Sequence, residues 1–405
     1  MNKTVIVGGG AAGFFLAVNL KEMVPTMEVT ILECSQRVLA KVEISGGGRC
    51  NCTNSFARVS DLSQVYPRGH RLLKRLFKLF DHCSAYQWFE HHGVRLTTQE
   101  DECVFPASQD SHSIINCFLN EARRHNIKIC TGARVSSMED LTGYDFVAIC
   151  TGGSPRMEGL QWLADAGHEI VPPVPSLFTL SIADKALTEL MGTVVDNVHV
   201  MIPGTKMRSE GPLLITHWGV SGPAVLKLSS YAARLLNEAS YQVPLSINWT
   251  GWHEPDVLTA LQNVAAQHPQ KQVANIAPCG LPARLWAYLT AKTLGERSQN
   301  RWQNLNQKEL NRLTNVLTND TYQTAGRAAF RDEFVTCGGI ALSSINPSTL
   351  ESKQVPHLYF AGEVLDIDGI TGGFNFQAAW TTAYVVAKSI AHEAELESAH
   401  IISCL

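Results

Sequence analysis

Gly8, Gly10 and Gly13 stand as Gly-x-Gly-x-x-Gly inside TVIVGGGAAGFFLAVNL, and Glu33 follows Gly13 by twenty residues. Those residue types at that spacing suit one task, the holding of a dinucleotide. Gly8 permits a sharp turn out of a strand, Gly10 lets backbone approach a pyrophosphate with no Cβ in the way, and Gly13 lets a helix pack closely on the strand. Ala11 and Ala12 begin that helix, whose unpaired N–H groups and dipole favour negative phosphates. Glu33 ends a second apolar run, Val29-Thr30-Ile31-Leu32, where a carboxylate accepts hydrogen bonds from an adenosine ribose. The glycines alone are weak evidence. Strand, turn, helix and acidic residue in register make the argument.

Further stretches fit the same ligand. Lys41 to Asn54 reads KVEISGGGRCNCTN, and its three consecutive glycines are costly to order unless backbone passes close to something flat or charged. It is expected to be a loop in which Arg49, Asn51 and the amides of Gly46 and Gly47 contact a flavin and its phosphates. Cys50 and Cys52 are spaced Cys-x-Cys instead of the redox Cys-x-x-Cys, so no catalytic dithiol is expected. Ile127–Cys130 and Ala133-Arg134-Val135 read as short strand pieces, with Val135 offering backbone to an adenine ring. The run from Tyr144 to Cys150 is a buried strand that stops at Thr151-Gly152-Gly153, the edge where ligands of parallel sheets lie. Near the C-terminus a strand, Leu358–Ala361, leads through Gly362, Glu363, Asp366, Gly372, Gly373 and Asn375 into a long helix from about Gln377 to Glu397. Glu363 or Asp366 would accept from ribitol hydroxyls, and the helix start at Phe376 and Gln377 would face the negative end of a reduced flavin.

His217, in Thr216-His217-Trp218-Gly219, is the candidate catalytic acid or base. Ser221 matches a nucleophile elbow only in part and is rejected as one. No metal is expected, because the histidines show no ligand spacing beyond the His91-His92 doublet.

The elements that must position these residues follow an α/β pattern. Residues 1–176 carry the dinucleotide unit, broken by Pro172, Pro173 and Pro175. Residues 177–250 are strand-rich, 251–320 helical with a capping box at Asn306 and Glu309, 321–337 return to the β insert, and 338–405 complete the dinucleotide unit. A helix capped by Ser111 or Ser113 is expected to run from about Ser111 to His125. With 405 residues the chain has room for two or three units, and a net charge of −4 argues against nucleic acid as a main partner. No apolar run reaches membrane-spanning length, the chain opens directly on its first strand, and its 11 cysteines fit reduced thiols, so a cytoplasmic protein is expected. Oligomeric state is not legible.

Taken together, VIVGGGAAG, SGGGRCNCTN, TGG, THWGVSGPAVL, TCGGI and FAGEVLDIDGITGGFNFQAA resemble a bacterial flavoprotein family, that of the BaiN-like, YhiN-like and aminoacetone-oxidase-type proteins. The resemblance implies an FAD-binding, Rossmann-like core of the glutathione-reductase type, interrupted by a β domain and a helical domain. It also implies cofactor contacts from Lys41, Ser45 and Cys50. The family's glycine and basic residue before Lys41 are replaced here by Leu39 and Ala40, so from that spot only Lys41 carries over. The implied function is an FAD-dependent oxidoreductase of a small molecule. There is one full glycine motif, so NAD(P)H is expected to dock transiently as donor. The alternatives are an oxygen-using oxidase of an amine or amino-ketone, and a flavin-binding sensor without turnover.

Overall fold

The computed structural model describes residues 2–327 and 335–404, with side chains of the last helix described as far as Glu397. The chain divides into two compact units, Met1–Val174 with Val335–Leu405, and Pro175–Phe334.

The first unit is built on β1 (Lys3–Val7), whose β-branched residues are buried on both faces. It lies between β2 (Glu28–Leu32) and the strand Phe146–Ile149, with Lys128–Cys130 outside β2 and Leu358–Phe360 outside Phe146–Ile149; every pairing is parallel. FVAI and LYF read as unbroken apolar runs because strands of such sheets are covered on both sides. Helix α1 (Ala11–Met23) is buried without a break from Ala12 to Leu20, as an all-round apolar helix must be. Phe15 is its hub, with ring centroids of Trp88 and Trp380 at 4.5 and 5.2 Å. The one buried amide on this helix, Asn19, donates to the Phe15 carbonyl at 2.7 Å.

Several local expectations are corrected. Lys41–Gly48 is not simply loop: α2 (Ala40–Gly48) begins helically and is broken at Ser45, Gly46 and Gly47 by non-helical dihedrals. Ala133–Val135 is irregular and pairs with no strand. The later helices α3 (His70–Leu76), α4 (His82–His91) and α5 (His112–Arg124) fall where apolar periodicity put them. However, Ser111 does not cap α5, because its hydroxyl donates to the Glu43 carbonyl at 2.9 Å. Pro172, Pro173 and Pro175 stand where the first unit gives way to the second, but within a strand and not a break in regular structure: they lie in Ile170–Ser176, which forms a two-stranded ladder with Val335–Ile340, where a missing N–H can face outward. The C-terminal helix begins earlier than expected and spans Phe374–Cys404.

The second unit contains a closed six-stranded barrel. Its inward residues, among them Leu180, Val198, Leu213, Val220, Leu245 and Ile247, share one hydrophobic core with Leu261, Trp286, Trp302 and Leu313 from the helical stretch. The helical segment is therefore packed on the barrel. Its last helix, Gln307–Thr318, carries the expected capping box. The return strand is Asp320–Arg327, and residues 328–334 lie outside the described part.

Candidate dinucleotide site

The three motif glycines have different physical reasons for being glycine. A Cβ at Gly8, where φ is +115°, would lie 2.2 Å from the Cys150 carbonyl oxygen, and one at Gly13 would lie 2.0 Å from the Gly8 oxygen. At Gly10 an added Cβ would meet no protein atom within 4 Å. Protein packing thus demands glycine at 8 and 13 and makes no such demand at 10. No side chain caps α1 at Gly10, so the amides of Ala11, Ala12 and Gly13 open the helix uncapped by protein.

Glu33 stands at the end of β2. Its Oε2 accepts from the Gly9 amide and its Oε1 from the Ser35 amide, both at 2.8 Å. Burial alone would raise its pKa, but these amides, Ser35 foremost, outweigh it and hold the carboxyl below its ordinary 4.5. A depressed folded-state value stabilises above 4.5, and that contribution is lost as pH falls through the lower folded value. Glu33→Gln is therefore expected to flatten the acid side of the Tm–pH profile. Thermal melts between pH 3 and 7 test this; profiles that superimpose would refute it. Val135 lies close by, half-buried, two residues after Ala133, whose amide donates to the Glu33 carbonyl at 2.8 Å.

Other predicted stretches converge on this turn. A Cβ at Gly8 would also crowd the Thr151 amide, at 2.9 Å. Gly152 has φ +75°, and a Cβ at Gly153 would strike Thr336 and Glu363 Oε1 at 2.6 and 2.7 Å. Gly362, at φ +78°, comes so close to α1 that its Cβ would stand 2.9 Å from that of Ala12. Glu363 accepts from the Thr336 amide at 2.8 Å and from Lys41 Nζ at 3.0 Å. Asp366 is half-buried, its amide donating to Ile340.

The glycine-rich stretch is tied to the C-terminal one. Gly46, Gly47 and Gly48 all have positive φ, of +57°, +70° and +83°, which residues with a Cβ rarely adopt. Ser45 Oγ donates to the Val42 carbonyl at 2.9 Å. Arg49 lies over the Phe105 ring at 4.3 Å and donates through Nε to the Gly46 carbonyl. With its amide turned so that Nδ2 donates to Thr53, Asn51 accepts from the Gly373 amide at 3.2 Å. Asn54 donates to the Gly372 carbonyl at 3.0 Å, and a Cβ at Gly373 would lie 2.2 Å from the Thr53 oxygen.

Some expected contacts have other employment. Gln377 is fully buried, accepting from Thr53 Oγ1 at 2.6 Å and donating to Thr381 at 3.1 Å, so its side chain has no surface for a ligand. Asn375 clamps both the amide and the carbonyl of Gly369. Phe376 stacks on Trp380 with centroids 5.5 Å apart. Cys50 and Cys52 are wholly buried, which pushes the Cys50 thiol up to about 12 and that of Cys52 well above its usual value; neither supplies a thiolate. His217 belongs to the other unit. It is exposed on the turn between Arg208–Ile215 and Gly219–Ser221, its ring 4.7 Å from that of Trp218. Ser221 Oγ accepts from Thr179 at 2.8 Å.

Sequence reasoning missed Arg68. It pairs in the interior with Asp368, Nε to Oδ1 at 2.5 Å and Nη2 to Oδ2, and so pins the loop that carries Gly372 and Gly373. An arginine between Pro67 and Gly69 gives no local sign of such a partner.

A parallel sheet, a glycine turn without packing cause at Gly10 and a carboxylate held at the end of β2 define a Rossmann-type dinucleotide fold. A model of the HI0933-like protein Rossmann domain matches residues 2–389, and the chain belongs to that family of FAD-dependent oxidoreductases. It is 28% identical, over 95% of its length and 97% of the relative's, to the ribosomal RNA dihydrouridine synthase of Escherichia coli. It is 26% identical, over 96% and 99%, to the 3-dehydro-bile acid delta(4,6)-reductase of Clostridium scindens. Among solved structures, the 3-ketosteroid delta1-dehydrogenase of Sterolibacterium denitrificans aligns over 97% of this chain and all of that one, at 12% identity and a TM-score of 0.47. Among the described residues no helix is long and apolar enough to cross a membrane.

Proposed function

We propose that this protein is an FAD-dependent reductase that draws on NAD(P)H and saturates a carbon–carbon double bond conjugated with a carbonyl. The observation carrying the cofactor half is Gly10, a glycine that packing does not require at the mouth of α1. In this reading the α1 amides and Gly10 take the pyrophosphate, Glu33 the ribose and the Val135 backbone the adenine. Lys41, Arg49, Glu363 and Asp366 serve the phosphates and polyol. The amides of 45–51 and of Gly372 and Gly373, with the backbone at the start of the C-terminal helix, flank the ring. Bound FAD supplies two-electron hydride chemistry.

The substrate half is supported by what the relatives' names share. A dihydrouridine is a uridine whose ring double bond has been saturated, and a delta(4,6)-reductase of a 3-dehydro compound acts on double bonds in line with an oxo group. Such a reduction adds hydride to the carbon β to the carbonyl and a proton to the α carbon. The proton comes from solvent or from a group of the protein beside the substrate. The setting is cytoplasmic, where thiols stay reduced.

A specific observation favours a base in RNA as the carrier of that double bond. Arg71, Lys74 and Arg75 on α3, with Lys78 just beyond, are all exposed at helical spacing. A local basic stripe serves a phosphate backbone even on a chain of negative net charge.

Anaerobic NADH or NADPH is expected to bleach the flavin, and a 3-oxo-4-ene steroid or a uridine-containing RNA to restore its colour. The reading falls if neither nicotinamide reduces the flavin, and the RNA carrier falls if only the steroid reoxidises it.

A further inference from the structure

Glu22 and His92, 70 residues apart in the chain, meet where the end of α1 passes the end of α4. No motif announces the meeting. His92 Nε2 stands 2.9 Å from Glu22 Oε1, and its Nδ1 stands 2.7 Å from the Trp88 carbonyl oxygen. Both neighbours are acceptors. No neutral imidazole satisfies them together, because each tautomer leaves one ring nitrogen turning a lone pair toward an oxygen lone pair. The ring is therefore a double donor, an imidazolium, and the carboxylate of Glu22 is its counter-ion. The shared proton belongs to His92, because a carboxyl is ordinarily the stronger acid by about two pKa units.

The surroundings favour that cation. The His92 side chain keeps 4% of its surface in solvent and that of Glu22 keeps 35%. The ring stacks on the Trp88 indole with centroids 3.8 Å apart and 23° between planes, a cation over an aromatic face. It also closes the C-terminal end of α4, where unpaired carbonyls favour positive charge. On the same helix the His91 ring lies 5.4 Å away. From α5, Glu121 adds an attracting charge, but Arg124 at 3.4 Å and His125 at 3.5 Å share that carboxylate. Cys117 donates its thiol to the His92 carbonyl at 3.8 Å. Lys21, beside Glu22 on α1, is turned to the Pro25 and Met27 carbonyls at 2.6 and 2.9 Å. Solvent reaches the pair through an open hollow of about 780 Å³, with Tyr384 of the C-terminal helix on its lining.

We propose that Glu22 and His92 form a pH-operated clasp that holds the end of α1 against α4, closed while both ring nitrogens of His92 carry protons and released when one proton leaves. On release Nε2 turns a lone pair toward Glu22 Oε1, and attraction becomes repulsion between acceptors. Burial alone would lower the His92 pKa, but the hydrogen bond to Glu22 foremost, then the Trp88 carbonyl and the charges of Glu22 and Glu121, outweigh it and hold it above its ordinary 6.5. A raised folded-state value stabilises fully below 6.5, and that contribution is lost as pH rises through the folded value. Burial would raise the Glu22 pKa, but the hydrogen bond and charge of His92 outweigh it and hold it below 4.5, so on the acid side the clasp opens only as pH falls through that lower value. Release on the alkaline side frees the far end of the helix whose near end is the glycine turn. The clasp does not depend on what that turn binds.

The test follows the histidine rings of the full chain, isotopically labelled, by NMR from pH 5 to 9. The His92 signals are assigned by their contacts with the Trp88 ring protons and by their absence in His92→Gln. Both ring nitrogens are expected to be protonated at pH 6, with a midpoint above 6.5. Hydrogen exchange of residues 15–24, corrected for the intrinsic effect of pH, reads the clasp itself. Opening should rise across the transition about tenfold for each unit by which the midpoint exceeds 6.5. Glu22→Gln should lower the midpoint and flatten that rise, with superimposable circular dichroism showing that the fold is kept, and His125→Gln should leave the rise in place. The proposal is overturned by a midpoint at or below 6.5, or by an unprotonated Nε2 beside Glu22 at pH 6. It is equally overturned by exchange that is flat across the wild-type midpoint or that rises equally in wild type and Glu22→Gln. Should Glu22→Gln fail to fold, the wild-type midpoint and exchange decide alone.

Discussion

Gly10→Val is expected to yield a folded, colourless protein. A side chain there meets no protein atom within 4 Å of its Cβ, and the native φ of −94° is open to any residue, so neither clash nor strain opposes folding. The helix amides that Gly10 introduces would be screened from a pyrophosphate. Losing two hydrogen bonds to a charged group costs about 3 kcal/mol or more, roughly a hundredfold or more in affinity. Gly13→Ala should behave in the opposite way. Its Cβ would sit 2.0 Å from the Gly8 carbonyl oxygen, so α1 must leave β1 and the unit loses stability before it loses ligand. Circular dichroism and FAD titration of the two apoproteins separate the effects, and Gly10→Ala offers a gentler form of the first. Gly10→Val that purifies with wild-type flavin content would remove the pyrophosphate from this turn.

What the sequence made visible is what is local. β1, the glycine turn and α1 follow one another within the first twenty-three residues, and the reason for Gly13 is as local, its close approach to Gly8, whereas the crowding at Gly8 comes from Cys150 far along the chain. The Asn306 capping box was readable for the same reason, since its two partners are three residues apart. Helix α2 was hidden because the triple glycine at its end dominates the reading, although Ala40–Ile44 are tolerable helix residues. The prolines before Ser176 looked like a break, because sequence cannot say that a strand has a free edge. Gln377 looked like a ligand residue at a helix start, yet its partner Thr53 lies 324 residues away and turns it into core. The site was legible where one strand–turn–helix makes it, and illegible where two distant loops are zipped together.

The strongest of those zippers supplies the second large effect. Arg68→Met is expected to destabilise the first unit by about 3 kcal/mol, because removing one partner strands a charge in the interior. Asp368 has no exposed surface and the Arg68 side chain only 12%. Burial would lower the Arg68 pKa, but the hydrogen bond and charge of Asp368 outweigh it and raise it, so this pair stays ionised. Around it Ile370 donates its amide to the Val65 carbonyl at 2.9 Å, and Tyr66 donates its hydroxyl to the Phe374 carbonyl at 2.8 Å. A Cβ at Gly69 would stand 2.6 Å from Ile367, so the two loops have no slack. Loosening Asp368 therefore reaches Gly372 and Gly373 along the same loop, and flavin should leave Arg68→Met at lower urea than wild type. Arg68→Met combined with Asp368→Asn should recover part of the loss, because the stranded charge is gone even though the fork is not restored. Urea melts followed by flavin fluorescence measure all three proteins. An Arg68→Met variant within about 0.5 kcal/mol of wild type, the range of ordinary surface changes, would show that the pair does not hold this loop. A double variant worse than the single one would show that Asp368 is needed by a partner other than Arg68.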